Sequence, residues 1–470
     1  MASVLVDSGG RRAAVTVVLG FGLVLFTSTL TMVNVALPTL ARDFNVDLPV
    51  VQWVALAYFI ANTSLLLAAG RIADIIGHRF VYLAGMLIFA AASLGAAASG
   101  EIAWLIFWRV VQAVGASAAL ATGTALLVHV YPSSQRGRSM GYFGVSGALG
   151  SALGPWVGGS VLQIADWPVL FLIMAVLAII NFAGSIYVIP RMGGSGERGF
   201  DWSGSFLMAM WIGPGILALN YGMREGWGNV VTLMSAGTVV LALTAFVFRE
   251  RGARAPLINL ALFRSFDFSS GVFISVVGFA VGSCLTLLGP FIFENALGYS
   301  VADAGMLLSI SFGIGILVSA PAGYWTDHVG PHIPRTAGLL ITVVGVGALA
   351  FINSGWSPVH IGVVLGIFGI GQSLWSAPNR SMIMGSVARD QLGVAGGILT
   401  AARQLGFASG QALFGGVFSG VVLGQTEEQF VIHASPDAQL IGFRLSLVVA
   451  AVAIMLTVGL SMRGRKFDVE

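Results

Sequence analysis

The stretch Gly147-Ala-Leu-Gly150-Ser-Ala-Leu-Gly154-Pro155-Trp-Val-Gly158-Gly159 decides how this chain is read. It lies inside a long apolar segment, where glycine and proline are poor helix formers. Gly147, Gly150, Gly154 and Gly158 recur at spacings of three and four, so on a helix they share one smooth face. Between membrane helices, such a face lets two backbones approach closely. Pro155 removes a backbone hydrogen bond and bends the helix. A thin, bent helix suits a membrane protein whose halves rock against each other. An ordinary packing face is the other meaning of the same pattern.

The surrounding composition points to a bilayer. Of 470 residues, 57% are hydrophobic and 9% charged, whereas soluble domains carry about 25% charged residues. Charge-free stretches of spanning length recur from 13–41 to 445–462. The segment 336–379 is too long for one span and breaks at the turn Asn353-Ser-Gly-Trp-Ser-Pro358. The expected fold is an all-α polytopic membrane protein with fourteen transmembrane helices.

All but Lys466 of the 23 basic residues are arginines. Seventeen basic residues, from Arg11 to Lys466, fall in one set of loops and only Arg42, Arg224 and Arg444 in the other. That imbalance predicts a multi-pass protein of the cell membrane with both termini cytoplasmic, and it removes nucleic acid as a reason for the basic balance. The apolar run after Arg11-Arg12 is too long for a signal peptide and is read as an uncleaved first helix. Cys284 stands alone, so no internal disulfide forms. There is no phosphate-loop lysine motif and no zinc pattern. No cofactor or metal is expected, and the chain does not read as an enzyme.

Two segments share the pattern G-x-x-x-D-x-x-G: Gly70-Arg-Ile-Ala-Asp74-Ile-Ile-Gly77 and Gly323-Tyr-Trp-Thr-Asp327-His-Val-Gly330. Each ends an apolar helix on the side predicted to be cytoplasmic. The chain therefore divides into a six-helix half over 13–190, two inserted helices over 202–249, and a second six-helix half over 267–463. Parallel repeats of this kind place a substrate site between the halves, near the bilayer midplane.

These residues resemble a major facilitator superfamily transporter of the fourteen-helix drug:proton antiporter group. The similarity runs through Val33-Asn-Val-Ala-Leu-Pro38, Gln52-Trp53 with Tyr58, Gly70 to Arg79, Arg109-Val-Val-Gln112 with Gly115, and Gly147 to Gly159. It continues through Pro290 to Ser300 and Arg403-Gln-Leu-Gly406. The resemblance implies a major facilitator fold and export by alternating access. It assigns conformational gating to Asp74, Gly77, Arg79, Arg136, Arg138 and Asp327, and to Gly147, Gly154, Pro155 and Gly158. A solvated loop carboxylate is the plainer alternative for Asp74, and positive-inside anchoring is the plainer alternative for Arg136 and Arg138.

The departures bear on energetics. The aspartate that relatives carry five residues before the first-helix asparagine is here Thr29, counting back from Asn34. Threonine cannot titrate, whereas a buried carboxylate with a raised pKa can exchange protons. Ile75 and His78 also replace residues that are usually basic. Glu294, where relatives carry glutamine, is a candidate replacement acid, with an exposed helix-end carboxylate as the alternative. Arg109 lies about eight residues into its helix and calls for a partner or a cavity, with snorkelling to the interface as the alternative; Gln112 shares its face. Arg403 is similar.

Asn34, Tyr58, Asn62, Gln372, Trp375 and Asn379 complete the candidate substrate or proton pathway. Their stripes either line water or bond neighbouring helices. Amides and aromatics with few charges suit amphipathic, largely apolar small molecules. The expected function is export of drugs, antibiotics or similar compounds, with protons as counter-substrate, by a monomer in the bilayer. An uncoupled facilitator or lipid translocator, and a non-transporting receptor or scaffold, are the competing readings.

Overall fold

The computed structural model describes residues 9–132, 135–191, 202–252, 259–388, 391–426, 428 and 430–463. Its elements are helical: α1 (Gly9–Asp43), α2 (Leu48–Val51), α3 (Trp53–Ile76), α4 (His78–Ala97), α5 (Ile102–Val130), α6 (Arg136–Leu162), α7 (Pro168–Val188) and α8 (Trp202–Glu225). There follow α9 (Val230–Gly252), α10 (Phe266–Phe291), α11 (Val301–Val329), α12 (His332–Leu349), α13 (Pro358–Gly385), α14 (Leu392–Leu423) and α15 (Pro436–Arg463). Thirteen helices among the described residues are long and apolar enough to cross a membrane, α2 joining α3 in one of them. The long glycine-rich α6 accompanies them, giving the fourteen expected.

A chain in hydrocarbon must satisfy its backbone internally, which is why helices carry every crossing. Their ends follow local chemistry. Pro49, Pro168 and Pro358 open helices, where a missing N–H costs nothing. Ser300 accepts a hydrogen bond from Asp303 N at 3.1 Å and caps α11. Gly77 at φ 107° and Gly330 at φ 78° turn the chain after the two repeated motifs, a backbone region that penalises any side chain. After Pro290, α10 widens into a π turn over Ile292–Ala296.

The helices pack as two sets with matching partners. In the first, α1 lies on α6 and α7, α5 on α3 and α4, and α4 on α7; in the second, α10 lies on α14 and α15, α13 on α11 and α12, and α12 on α15. The sets meet along α6–α11, α3–α14 and α1–α10, and α8 covers the α3–α14 seam while holding α9 outside it.

The deciding glycine face is a packing seam inside the first set. A methyl group at Gly150 would collide with Val24 O and Thr27 Oγ1 of α1, and one at Gly154 with Thr31 Oγ1 and Ser28 O. Gly147 faces Leu23, and Gly158 faces Met32. Ser28 Oγ donates to Gly150 O at 3.0 Å. The other side of the bend joins the sets: Gly159 abuts Val301 and Gly305 of α11, and Gly305 abuts Pro155 O. Towards their other ends α6 and α11 separate. A methyl group at Gly141, Gly144, Gly313 or Gly323 there would meet nothing within 4 Å. At the end bearing Gly159 the sets close on each other; at the end bearing Gly77 and Gly330 the cleft opens between α6 and α11, while α3 and α14 still touch through Leu67 and Gly397.

Candidate functional site

Two amide pairs bridge the sets. Gln411 Nε2 donates to Asn34 Oδ1 at 3.2 Å, and Gln404 Nε2 donates to Asn62 Oδ1 at 2.9 Å. The Tyr58 hydroxyl, Asn62 Nδ2, Gln404 Oε1 and Gln411 Oε1 are buried with no hydrogen-bond partner among the described residues. Buried polar atoms left in this state are costly unless water or a ligand meets them, which makes this seam a candidate site. The sequence reading picked Asn34, Tyr58 and Asn62 but missed Gln404 and Gln411. Their seven-residue spacing, which puts them on one helix face, was the signal.

Beside the amides runs a column of rings. Phe407 of α14 stacks on Phe59 of α3 at 5.6 Å and on Phe279 of α10 at 5.7 Å. Arg403 lies over Phe279 and Phe407, its guanidinium carbon 5.4 and 5.8 Å from their centroids. Arg380 of α13, which sequence analysis passed over, is near enough to Arg403 for their charges to repel.

Arg109 sits apart from this seam, inside the first set and 1% exposed. It covers the Tyr58 ring at 4.3 Å, donates to Val54 O at 2.9 Å and donates to Gln112 Oε1. Gln112 Nε2 passes the chain of bonds to Ser93 Oγ at 2.7 Å. The network ties α3, α4 and α5 without a carboxylate, and Tyr58 connects it to the seam.

The stripe Gln372, Trp375 and Asn379 lies against α10. Gln372 donates to Gly278 O at 3.1 Å and accepts from Trp375 Nε1. Asn379 donates to Gly271 O and Ser275 Oγ, each at 2.9 Å. A methyl group at Gly278 would overlap the Trp375 ring. Of the two meanings left open for this stripe, the side chains adopt bonding to a neighbouring helix. Thr27 and Thr31, on the same helix as Asn34, bond their own backbone and face α6.

At the open end, Asp74 Oδ1 stands 3.3 Å from His78 Nε2, and Asp74 Oδ2 stands 3.9 Å from Arg71. His78 faces His129 at 5.6 Å between ring centroids. Arg79 donates to Ile186 O of α7 at 2.7 Å. The Arg136 and Arg138 side chains lie outside the described residues. Asp327, the repeated aspartate, is exposed in the last turn of α11. Both aspartates are thus exposed, but Asp74 pairs with His78 and Arg71 whereas Asp327 forms no ion pair among the described residues.

At the closed end, Glu294 is not the exposed helix-end carboxylate that was one of its two sequence alternatives. Its side chain is 4% exposed and pairs across the sets with Arg42 at 2.9 Å, and Arg42 also donates to Asn295 Oδ1 at 3.1 Å. Asp47 Oδ1 accepts from Val431 N at 2.8 Å, joining the loop before α2 to the segment before α15. Burial pushes the Asp47 carboxyl above its ordinary range, against the opposing pull of the Leu48 and Val431 N–H groups and of Arg224 and His433. Thr29, 0% exposed, lines a cavity of about 200 Å³ walled by α1, α6 and α7, with Met174 and Leu177 opposite it. Among the described residues, no three His, Cys, Asp or Glu gather as metal ligands.

Comparison with known proteins agrees with this architecture. The Major Facilitator Superfamily family description matches residues 19–411. The riboflavin transporter RibZ of Clostridioides difficile (strain 630) is 29% identical over 411 residues, covering 87% of this chain and 89% of that protein. The uncharacterized transporter YebQ of Escherichia coli (strain K12) is 32% identical, covering 85% and 87%. The multidrug resistance protein Stp of Mycobacterium tuberculosis (strain CDC 1551 / Oshkosh) is 29% identical, covering 89% and 78%.

Among solved structures, an inward-facing, unoccupied bacterial homolog of the human lysosomal transporter Spinster superposes with a TM-score of 0.68 at 13% identity, covering 98% of this chain and 100% of that one. A D-xylose-proton symporter superposes at 0.66 with 15% identity, covering 94% and 96%. With a family match across most of its length and helices to suit, the chain belongs to the major facilitator superfamily and is a multi-pass membrane transporter rather than an enzyme.

Proposed function

We propose that this transporter exports amphipathic aromatic small molecules by alternating access, with the two helix sets rocking about the amide seam. The observation that carries this reading is the pair of bridges Asn34–Gln411 and Asn62–Gln404, with unpartnered polar atoms beside them. Bonds between amides can exchange partners with a substrate at little net change, unlike a packed apolar seam. Relatives named for multidrug resistance, tetracenomycin C export and methylenomycin A resistance support the direction and the cargo class. The riboflavin transporter among them supports a flat aromatic cargo without fixing direction. The open end is the cytoplasmic one, following the arginine distribution.

Glu294 is our candidate for proton exchange. It is buried, lies on a π turn, and closes the far end of the cleft through Arg42. Protonation would release that ion pair and couple an external proton to opening. Thr29 favours a second reading, an uncoupled facilitator, since the first helix offers no acid in its middle.

Proteoliposomes loaded with a fluorescent aromatic amphiphile test both. Under exchange, an imposed pH gradient drives accumulation in wild type, and Glu294→Gln reduces it about tenfold or more, the scale of a lost charge-assisted bond. Transport indifferent to gradient and substitution selects the facilitator. No transport at all sinks the exporter reading.

A further inference from the structure

Within the spanning helices, every acidic residue lies in a first or last turn. Arg71, Arg109, Arg380, Arg403 and Arg444 each lie at least five residues inside a spanning helix; Arg71 stands 3.9 Å from Asp74, and Arg444 donates to Ile352 O. Arg109 is satisfied by Val54 O, Gln112 and the Tyr58 face. Arg403 and Arg380 differ. Neither forms an ion pair with any described carboxylate, and they repel each other.

Arg380 stands five residues before the end of α13, about 7 Å in, and Arg403 eleven residues after the start of α14, about 16 Å in. Both helix ends belong to the open side of the cleft. The two charges therefore lie in succession along the way in, with Arg380 exposed and Arg403 half-buried on the ring column. Unpaired cations inside a membrane protein are expensive. A bound anion would relieve their mutual repulsion and meet the planar fork of a guanidinium.

We propose that the Phe59–Phe407–Phe279 column, with Arg403 upon it and Arg380 at its mouth, binds a flat aromatic organic anion such as an aryl carboxylate. Phe279, the least buried ring of the column, supplies a stacking face continuous with the buried Phe407 and Phe59. Arg403 sets the charge, and the unpaired Gln404 Oε1 and Asn62 Nδ2 next to it supply one acceptor and one donor. This inference rests on the exporter reading for the purpose of the site.

The test uses three probes of one shape: 2-naphthoate, neutral 2-naphthamide and the 2-naphthylmethylammonium cation. Binding is measured on the full-length protein in phosphatidylcholine nanodiscs, which carry no anionic lipid headgroup to compete. Movement is measured in proteoliposomes of the same lipid. Naphthoate should bind about tenfold or more tighter than either other probe, the weight of one charge-assisted bond. Arg403→Gln should abolish that preference while retaining the amide, Arg403→Lys should keep part of it, and Arg380→Gln should lower naphthoate affinity several-fold.

Equal or tighter binding of the cation by wild type overturns the proposal, and that comparison needs no variant. So does undiminished naphthoate preference in Arg403→Gln. If the amide or the cation is carried and naphthoate is neither bound nor carried, the anion site falls and the exporter stands. If naphthoate is preferred but none of the three is moved, the site stands and the exporter falls.

Discussion

At the scale of single residues, burial and partner decide what each charged group does. Arg109 was legible as an arginine inside its helix that either faces inward or snorkels, and its burial at 1% exposure selects the inward position. Its partners were not legible, since Val54 O and the Tyr58 ring come from a different helix. Glu294 shows the limit more sharply: its sequence neighbours suggest a helix end in water, yet Arg42, far away in the chain, shields it. Asp47 carries a pH prediction. Its carboxyl is raised by burial in the closed contact with Val431. The stability it confers is therefore fully present below the ordinary aspartate value of about 3.9 and lost as pH rises through the raised one. Wild type in detergent should melt higher in acid than at neutral pH on this account. Asp47→Asn should remove that part of the slope and melt at least as high as wild type at pH 7. A variant that melts lower with the slope intact would show that the carboxylate form holds the contact.

At the scale of elements, helix number and order were legible because apolar length and arginine placement are properties of the chain alone. Side-chain partners across helices were not. The Gln372–Trp375–Asn379 stripe has the spacing of a cavity wall but spends its hydrogen bonds on the glycine-lined face of α10. The Gly147–Gly158 face gave its packing role directly from spacing, whereas the opposing use of Pro155 and Gly159 against α11 required the fold. Gly150→Ala should lower the melting temperature, since overpacking costs about 1–3 kcal/mol. Gly237→Ala on α9, with no neighbour within 4 Å, should be neutral or slightly stabilising through helix propensity. Equal behaviour of the two would mean that α1 and α6 do not touch as closely as described.

At the scale of the whole molecule, the two sets close on each other at one end of the cleft, through ion pair, backbone bond and glycine contact together, and α6 and α11 part at the other. Reversal of that asymmetry is the motion an exporter needs, and it requires Arg42–Glu294, Asp47–Val431 and Gly159–Gly305 to release in one event. The absence of carboxylates from the middle of the spans has an electrical meaning. Moving one charge through 100 mV is worth about 2.3 kcal/mol, and an inside-negative cell pushes an anion outward. One anion leaving in exchange for one proton entering carries two charges in the same sense, about 4.6 kcal/mol per 100 mV. A monovalent cation exchanged for one proton carries none. Naphthoate added to protein-bearing vesicles on a capacitive electrode should therefore give a transient current that grows with the imposed voltage. Uptake without current would contradict it. On the anion reading, the resting battery of the cell supplies work that a titrating acid would otherwise have to couple, and the threonine at position 29 leaves the first helix free of charge there.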